Sequence, residues 1–157
     1  MMGCGKTTVA EVFSKTYGFK KIDTDELIVS RYGEINEIFE KFGEEYFRNL
    51  ESEVTSKIAK NIDNAVISVG GGLVLRHENV SALKTNGKLF YLRTRAQTII
   101  RRLDGNSDRP LLKDGLEERV NSILSSRSEV YEKVADIIID TDDLTPQEIA
   151  KKIKESI

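Results

Sequence analysis

Gly3-Cys4-Gly5-Lys6-Thr7-Thr8 brings two glycines, a lysine and two hydroxyls into one short stretch. Glycines at these positions allow backbone geometry that turns successive N–H groups toward an anion. A helix starting here adds the positive end of its dipole. Lys6 can set an ammonium against β- and γ-phosphates, and the Thr7 hydroxyl is a hard oxygen suited to Mg²⁺. Gly5-Lys6-Thr7 is the closing half of G-x-x-x-x-G-K-[ST], whose opening glycine would fall one position before Met1. Residues ahead of Met1 carrying that glycine and its delivering strand are therefore expected. A glycine-rich turn capped by threonine is the plain alternative. Cys4 reads either as a reactive thiol or, better, as a small residue whose amide faces the ligand.

Three further stretches carry chemistry. Asp23-Thr24-Asp25 follows the short strand pattern Phe19-Lys20-Lys21-Ile22 and sits where open α/β sheets bind ligands, at a strand's carboxyl end. One aspartate can reach a metal through water while the other accepts a proton from a substrate hydroxyl. The alternative makes Asp25 an ordinary helix cap ahead of Glu26, Leu27 and Ile28. In Phe47-Arg48-Asn49-Leu50-Glu51 the arginine is either a guanidinium fork for a substrate carboxylate, held by Glu51, or half of a surface ion pair. Spacing alone favours the surface pair. Gly70-Gly71-Gly72 ends the apolar run Ala65-Val66-Ile67-Ser68-Val69, where main chain can approach a ligand closely. His77 has no partner at metal-ligand spacing and reads as a surface residue.

The elements that must position these groups alternate. Helical periodicity covers 7–16, 34–60 with a break at Gly43, 95–103 and 116–134, the last carrying Arg119, Arg127 and Tyr131. Strand patterns cover 19–23, 65–69, 88–92 and 135–140. Thr145-Pro146-Gln147-Glu148 opens a final helix as cap, proline and capping-box glutamate. Between 104 and 115 periodicity stops. Gly105, Asn106 and Ser107 suggest a mobile lid, and Arg109-Pro110 offers a charge on stiffened backbone; a plain surface loop has the same composition.

Composition bounds the class. The 157 residues fit one domain, 1–157, with no repeat or linker. A net charge of −2 argues against a general nucleic-acid binder. No apolar run nears the roughly 20 residues that cross a bilayer, and no signal-peptide core is present. One cysteine excludes an internal disulfide and suits the cytoplasm.

Taken in order, these motifs resemble the shikimate kinases, small P-loop kinases of aromatic amino-acid (chorismate) biosynthesis. The likeness runs from Met2 to the end through Gly3 to Thr8, Asp23-Thr24-Asp25, Phe47-Arg48 with Glu51, Gly70-Gly71-Gly72, Arg109-Pro110-Leu111-Leu112, and Arg127 with Tyr131. It implies a three-layer α/β/α P-loop kinase fold with a central parallel sheet of order 2-3-1-4-5. A helical substrate-binding segment at 26–60 and a lid at 104–115 go with that fold. It also implies γ-phosphoryl transfer from ATP to the 3-hydroxyl of shikimate, giving shikimate 3-phosphate and ADP, with Mg²⁺. By the same resemblance, Gly3, Cys4, Gly5, Lys6, Thr7 and Thr8 hold ATP, with Thr7 on the metal and Asp23 reaching it through water. Asp25 engages the acceptor hydroxyl. Arg48, Arg127 and Gly70, Gly71 and Gly72 receive the rest of shikimate; Arg102 packs on adenine and Arg109 reaches the phosphates. Lys6, Asp25 and Arg109 are the expected catalytic set, in a cytoplasmic monomer. Thr141-Asp142-Asp143-Leu144 lacks the basic residues that many members place near adenine. Another small-metabolite P-loop kinase such as a gluconate kinase, or a non-catalytic nucleotide-binding module, is the alternative.

Overall fold

The computed structural model describes residues 1–104 and 115–157. Among the described residues there are seven helices and four strands, with one or two α-helices between successive strands. Helix α1 (Lys6–Tyr17) leads into β1 (Lys20–Asp23), α2 (Thr24–Tyr32), α3 (Ile35–Asn61) and β2 (Ala65–Ser68). A 3-10 turn at Leu73–Leu75 precedes α4 (His77–Lys84), β3 (Phe90–Arg93) and α5 (Ala96–Asp104). The chain closes with α6 (Leu116–Val134), β4 (Ile137–Asp140) and α7 (Pro146–Glu155).

All described strand pairing is parallel, as the alternation of strands with helices requires. β1 pairs with β2, putting Asp23 opposite Ser68, and β3 pairs with β4, putting Arg93 opposite Asp140. The expected parallel sheet is thus seen among the described residues as two parallel pairs, β1 with β2 and β3 with β4. Strand β3 starts two residues later than its apolar pattern predicts. The Leu89 N–H donates to the Asp136 carboxylate at 2.8 Å instead of to a ladder carbonyl.

Helix α1 is held by its apolar side. Val9, Ala10 and Phe13 are buried, and the Phe13 ring lies 5.0 Å from both Tyr17 and Phe19. Burying a side chain of that size contributes about 1.5–3 kcal/mol. This cluster continues through Ile99, Val120, Tyr131, Ile149 and Ile153, tying α1, α5, α6 and α7 together. A second cluster of Ile22, Ile28, Ile38, Phe47, Val54 and Ile58 binds α2 and α3 to β1. The substrate-binding segment expected at 26–60 therefore has apolar packing of its own. Within α3, Gly43 takes φ 82° and ψ 172°, a left-sided conformation that only glycine enters cheaply, and the helix resumes beyond it.

The capping box on α7 forms as its sequence predicts. Glu148 N–H donates to Thr145 Oγ1 at 3.3 Å, and Thr145 N–H donates back to the Glu148 carboxylate at 2.7 Å. Thr145→Ala is expected to cost about 1 kcal/mol of stability. Urea denaturation should show a lower midpoint with an unchanged slope, and an unchanged midpoint would mean that the cap contributes nothing.

Candidate active site

The carboxyl ends of β1 and β2 and the start of α1 meet at one place. Gly5, in the left-handed region at φ 89°, turns the chain into α1. Lys6 follows immediately, its ammonium donating to the Met1 carbonyl at 2.5 Å. Arg102 from α5 reaches back to this loop, its Nη1 donating to the Gly3 carbonyl at 3.5 Å. Cys4 is buried and its thiol donates to Met1 O, which favours its reading as a small loop residue over a reactive thiol. Thr8 is exposed on the first turn of α1.

Thr7 connects the loop to the first aspartate. Its hydroxyl donates to Asp23 Oδ2 at 3.1 Å and lies 3.5 Å from the Ser68 hydroxyl. The register of β1 on β2 produces this triad, because Asp23 and Ser68 are paired residues. Three oxygens beside a helix N-terminus suit a hard cation that keeps most of its waters and leans on phosphate, which is how Mg²⁺ is usually held. Among the described residues no group of three or more His, Cys, Asp or Glu side chains could hold a metal alone.

The two aspartates do different work, but not as a cap reading of Asp25 would divide it. Asp23 is the cap of α2: its Oδ1 accepts from Asp25 N–H at 3.0 Å and Glu26 N–H at 3.4 Å. That leaves the Asp25 carboxylate uncommitted. It leans on the glycine turn so closely that a Cβ placed on Gly70 would stand 2.8 Å from Asp25 Oδ1. Burial, and after it the Asp23 charge, push the Asp25 carboxyl above the ordinary carboxylate range, against the pull of Lys6 and Arg48.

Across the turn stands Arg48. Its Nη1 donates to Glu51 Oε2 at 2.6 Å, and Glu51 is 1 % exposed, so the surface-pair reading of Arg48 and Glu51 does not hold. Burial pushes the Glu51 carboxyl up, and the Arg48 guanidinium opposes that push. Nε and Nη2 of Arg48 donate to Glu44 at 3.2 and 2.7 Å. The glycines make this packing possible. A Cβ on Gly70 would also stand 2.8 Å from Glu51 Oε1, and one on Gly72 would enter the Arg48 guanidinium, 2.5 Å from Cζ. The turn is pinned twice. Gly70 N–H donates to the buried Thr24 hydroxyl at 3.0 Å, and the Tyr131 hydroxyl donates to the Gly71 carbonyl at 2.8 Å.

Arg127, four residues before Tyr131 on α6, is half-buried and makes no side-chain hydrogen bond or ion pair with any described residue. Its charge helps to hold the Glu44 carboxyl below its ordinary range, after the larger effects of Arg48. That places it near the Arg48–Glu44 end of the site. Arg109, and the lid expected at 104–115 apart from its ends, lie outside the described residues.

The structure thus gathers Lys6, Thr7, Asp23, Asp25, Arg48 and Gly70 to Gly72, and adds Thr24, Glu44 and Ser68. Ser68 had a visible signal, a hydroxyl ending an apolar strand beside the glycines. Glu44 had one as well, its i,i+4 spacing from Arg48, whereas Thr24 had none, because its partner Gly70 is set by tertiary packing. A cavity of about 710 Å³ lined by Arg93, Arg95, Asp140 and Asp142 among others shares no residue with this cluster.

Several known proteins that this chain is similar to fall in one family. The shikimate kinase family's sequence model matches residues 2–157. A shikimate kinase of Thermodesulfovibrio yellowstonii is 46 % identical over 154 residues, covering 97 % of this chain and 88 % of the relative. Among solved structures, a shikimate kinase from Acinetobacter baumannii in complex with shikimate superposes with a TM-score of 0.88. It is 32 % identical, with 99 % of this chain and 87 % of that one covered. One from Aquifex aeolicus gives a TM-score of 0.82 at 35 % identity, with 99 % and 91 % covered. A phosphate loop, an uncommitted aspartate and a glutamate-held arginine around three glycines, carried on a chain matched almost from end to end, leave one assignment: the chain belongs to the shikimate kinase family.

Proposed function

We infer that this site transfers the γ-phosphoryl group of ATP to the 3-hydroxyl of shikimate. The observation that carries the reading is the convergence of Asp25 and Arg48 on Gly70–Gly72 from opposite sides, a base and a cation at one small turn. Lys6 and the backbone of Gly3 to Thr8 would hold the phosphates, and Arg102 would pack against adenine. Thr7 would hold Mg²⁺ directly and Asp23 through water, and the bound ion would neutralise charge on the β- and γ-phosphates. Arg109 is assigned to the phosphates by resemblance alone. On the acceptor side, Arg48 and Arg127 would clamp the carboxylate. The amides of Gly71 and Gly72, which donate to no described group, would complete the pocket. The 3-hydroxyl oxygen attacks the γ-phosphorus as the bond to the β,γ-bridging oxygen breaks, and the hydroxyl proton passes to Asp25 Oδ1 or Oδ2. Such transfer asks mainly for positioning and charge stabilisation, which these residues supply. We place the chain in the cytoplasm as a monomer acting on small molecules; no described helix is long and apolar enough to cross a membrane.

A coupled ADP-release assay tests this reading. Mg²⁺-dependent release is expected with shikimate, and kcat/KM for gluconate or a nucleoside monophosphate should be lower by two or more orders of magnitude. Comparable efficiency with gluconate would move the chain to the alternative sugar-acid kinase. Absence of turnover with every acceptor, with ATP bound, would favour the non-catalytic alternative.

A further inference from the structure

Tyr131 is 6 % exposed, and its ring lies against Tyr91 of β3 at 5.3 Å between centroids. Packing therefore fixes the direction of the hydroxyl, which donates to the Gly71 carbonyl 60 residues away in sequence. Among the described residues this is the one hydrogen bond joining α6 to the glycine turn. Arg127 stands on the same face of α6, one turn earlier and about 6 Å along the axis. Nothing else described holds the Arg127 side chain. Its place relative to Arg48 therefore depends on how α6 is held, by its packing in the core and, at the glycine turn, by Tyr131.

We propose that Tyr131 is a positioning residue for the acceptor: its hydroxyl fastens α6 to the Gly71 carbonyl and so sets where Arg127 stands across from Arg48. The proposal rests on the reading of Arg127 as a carboxylate clamp. Tyr131 touches neither substrate nor phosphate in this role. Losing its hydroxyl loosens the clamp without touching the base or the phosphate loop.

Tyr131→Phe in the full chain keeps the ring and removes only the donor. KM for shikimate is expected to rise about 3- to 10-fold, the usual size of one lost hydrogen bond. KM for ATP and kcat should stay within about twofold. In an Arg127→Ala background the same change should add less than about twofold, because the two residues act as a unit. An unchanged shikimate KM, a loss confined to melting temperature, or full additivity with Arg127→Ala would each overturn the proposal. Arg127→Ala alone separates the two levels. If it leaves shikimate KM untouched, the clamp reading itself fails; if it raises KM while Tyr131→Phe does not, only the role of Tyr131 fails.

Discussion

Asp25→Asn is expected to lower kcat by about 10²- to 10⁴-fold, the usual contribution of a positioned general base. That corresponds to about 3–5 kcal/mol of barrier. ATP affinity should be retained. The division of labour between the two aspartates makes the result sharp. Asp23 is spent on the Thr7 hydroxyl and on two N–H groups of α2, so its replacement would disturb loop, helix and metal together. Asp25 accepts no side-chain hydrogen bond among the described residues and faces the glycine turn, so its amide analogue keeps the shape and removes only the proton acceptor. ADP release under saturating shikimate gives kcat, and titration with a fluorescent ATP analogue gives nucleotide binding. Near-normal turnover would remove Asp25 from its role, and lost nucleotide binding would mean that it belongs to the phosphate side.

Gly72→Ala should raise KM for shikimate by about 10- to 100-fold, the cost of displacing a charge-assisted contact. The backbone at Gly72 has φ −93° and ψ −15°, which alanine adopts without strain, so the effect is purely one of space. The new methyl would fall on the Arg48 guanidinium, which the buried Glu51 carboxylate holds at 2.6 Å. KM for ATP should not move, because Arg48 touches nothing in the phosphate loop. Gly71→Ala is the internal comparison. There the nearest atoms to a Cβ are the Met1 nitrogen at 3.0 Å, the Met1 Cα at 3.3 Å and the Tyr131 hydroxyl at 3.4 Å, and Arg48 is not among them. Initial-rate kinetics on the two variants decide the matter. A Gly72→Ala shikimate KM equal to that of the unaltered chain would show that Arg48 swings aside freely and that the turn is glycine for some other reason.

How much of this was legible in the sequence depended on how local each feature is. The phosphate loop was, because Gly5, Lys6 and Thr7 are adjacent and their chemistry is fixed by type. Helix α6 was too, with bounds at 116 and 134 that match the periodicity. Asp23 and Asp25 were found but could not be told apart, since two identical residues two positions apart can each cap the same helix. Only the N–H groups of Asp25 and Glu26 reveal which one does. The Arg48–Glu51 pair had the spacing of an exposed helix pair and proved buried, because α3 turns that face toward the glycine turn rather than to water. Tyr131 was visible as a motif residue and silent as to purpose, for its partner is a backbone carbonyl that no residue type encodes.

The Glu44 contact has a thermodynamic consequence. The Arg48 edge bearing Nε and Nη2 already carries a carboxylate, whose side chain is 63 % exposed and can return to water at little cost. If a substrate acid takes that edge, it does so by exchange, one carboxylate for another on the same guanidinium. The charge balance at Arg48 is then nearly the same before and after. The free energy of acceptor binding at this residue is a difference between two similar ion pairs, and salt should weaken it far less than it weakens the capture of an anion by a bare cation.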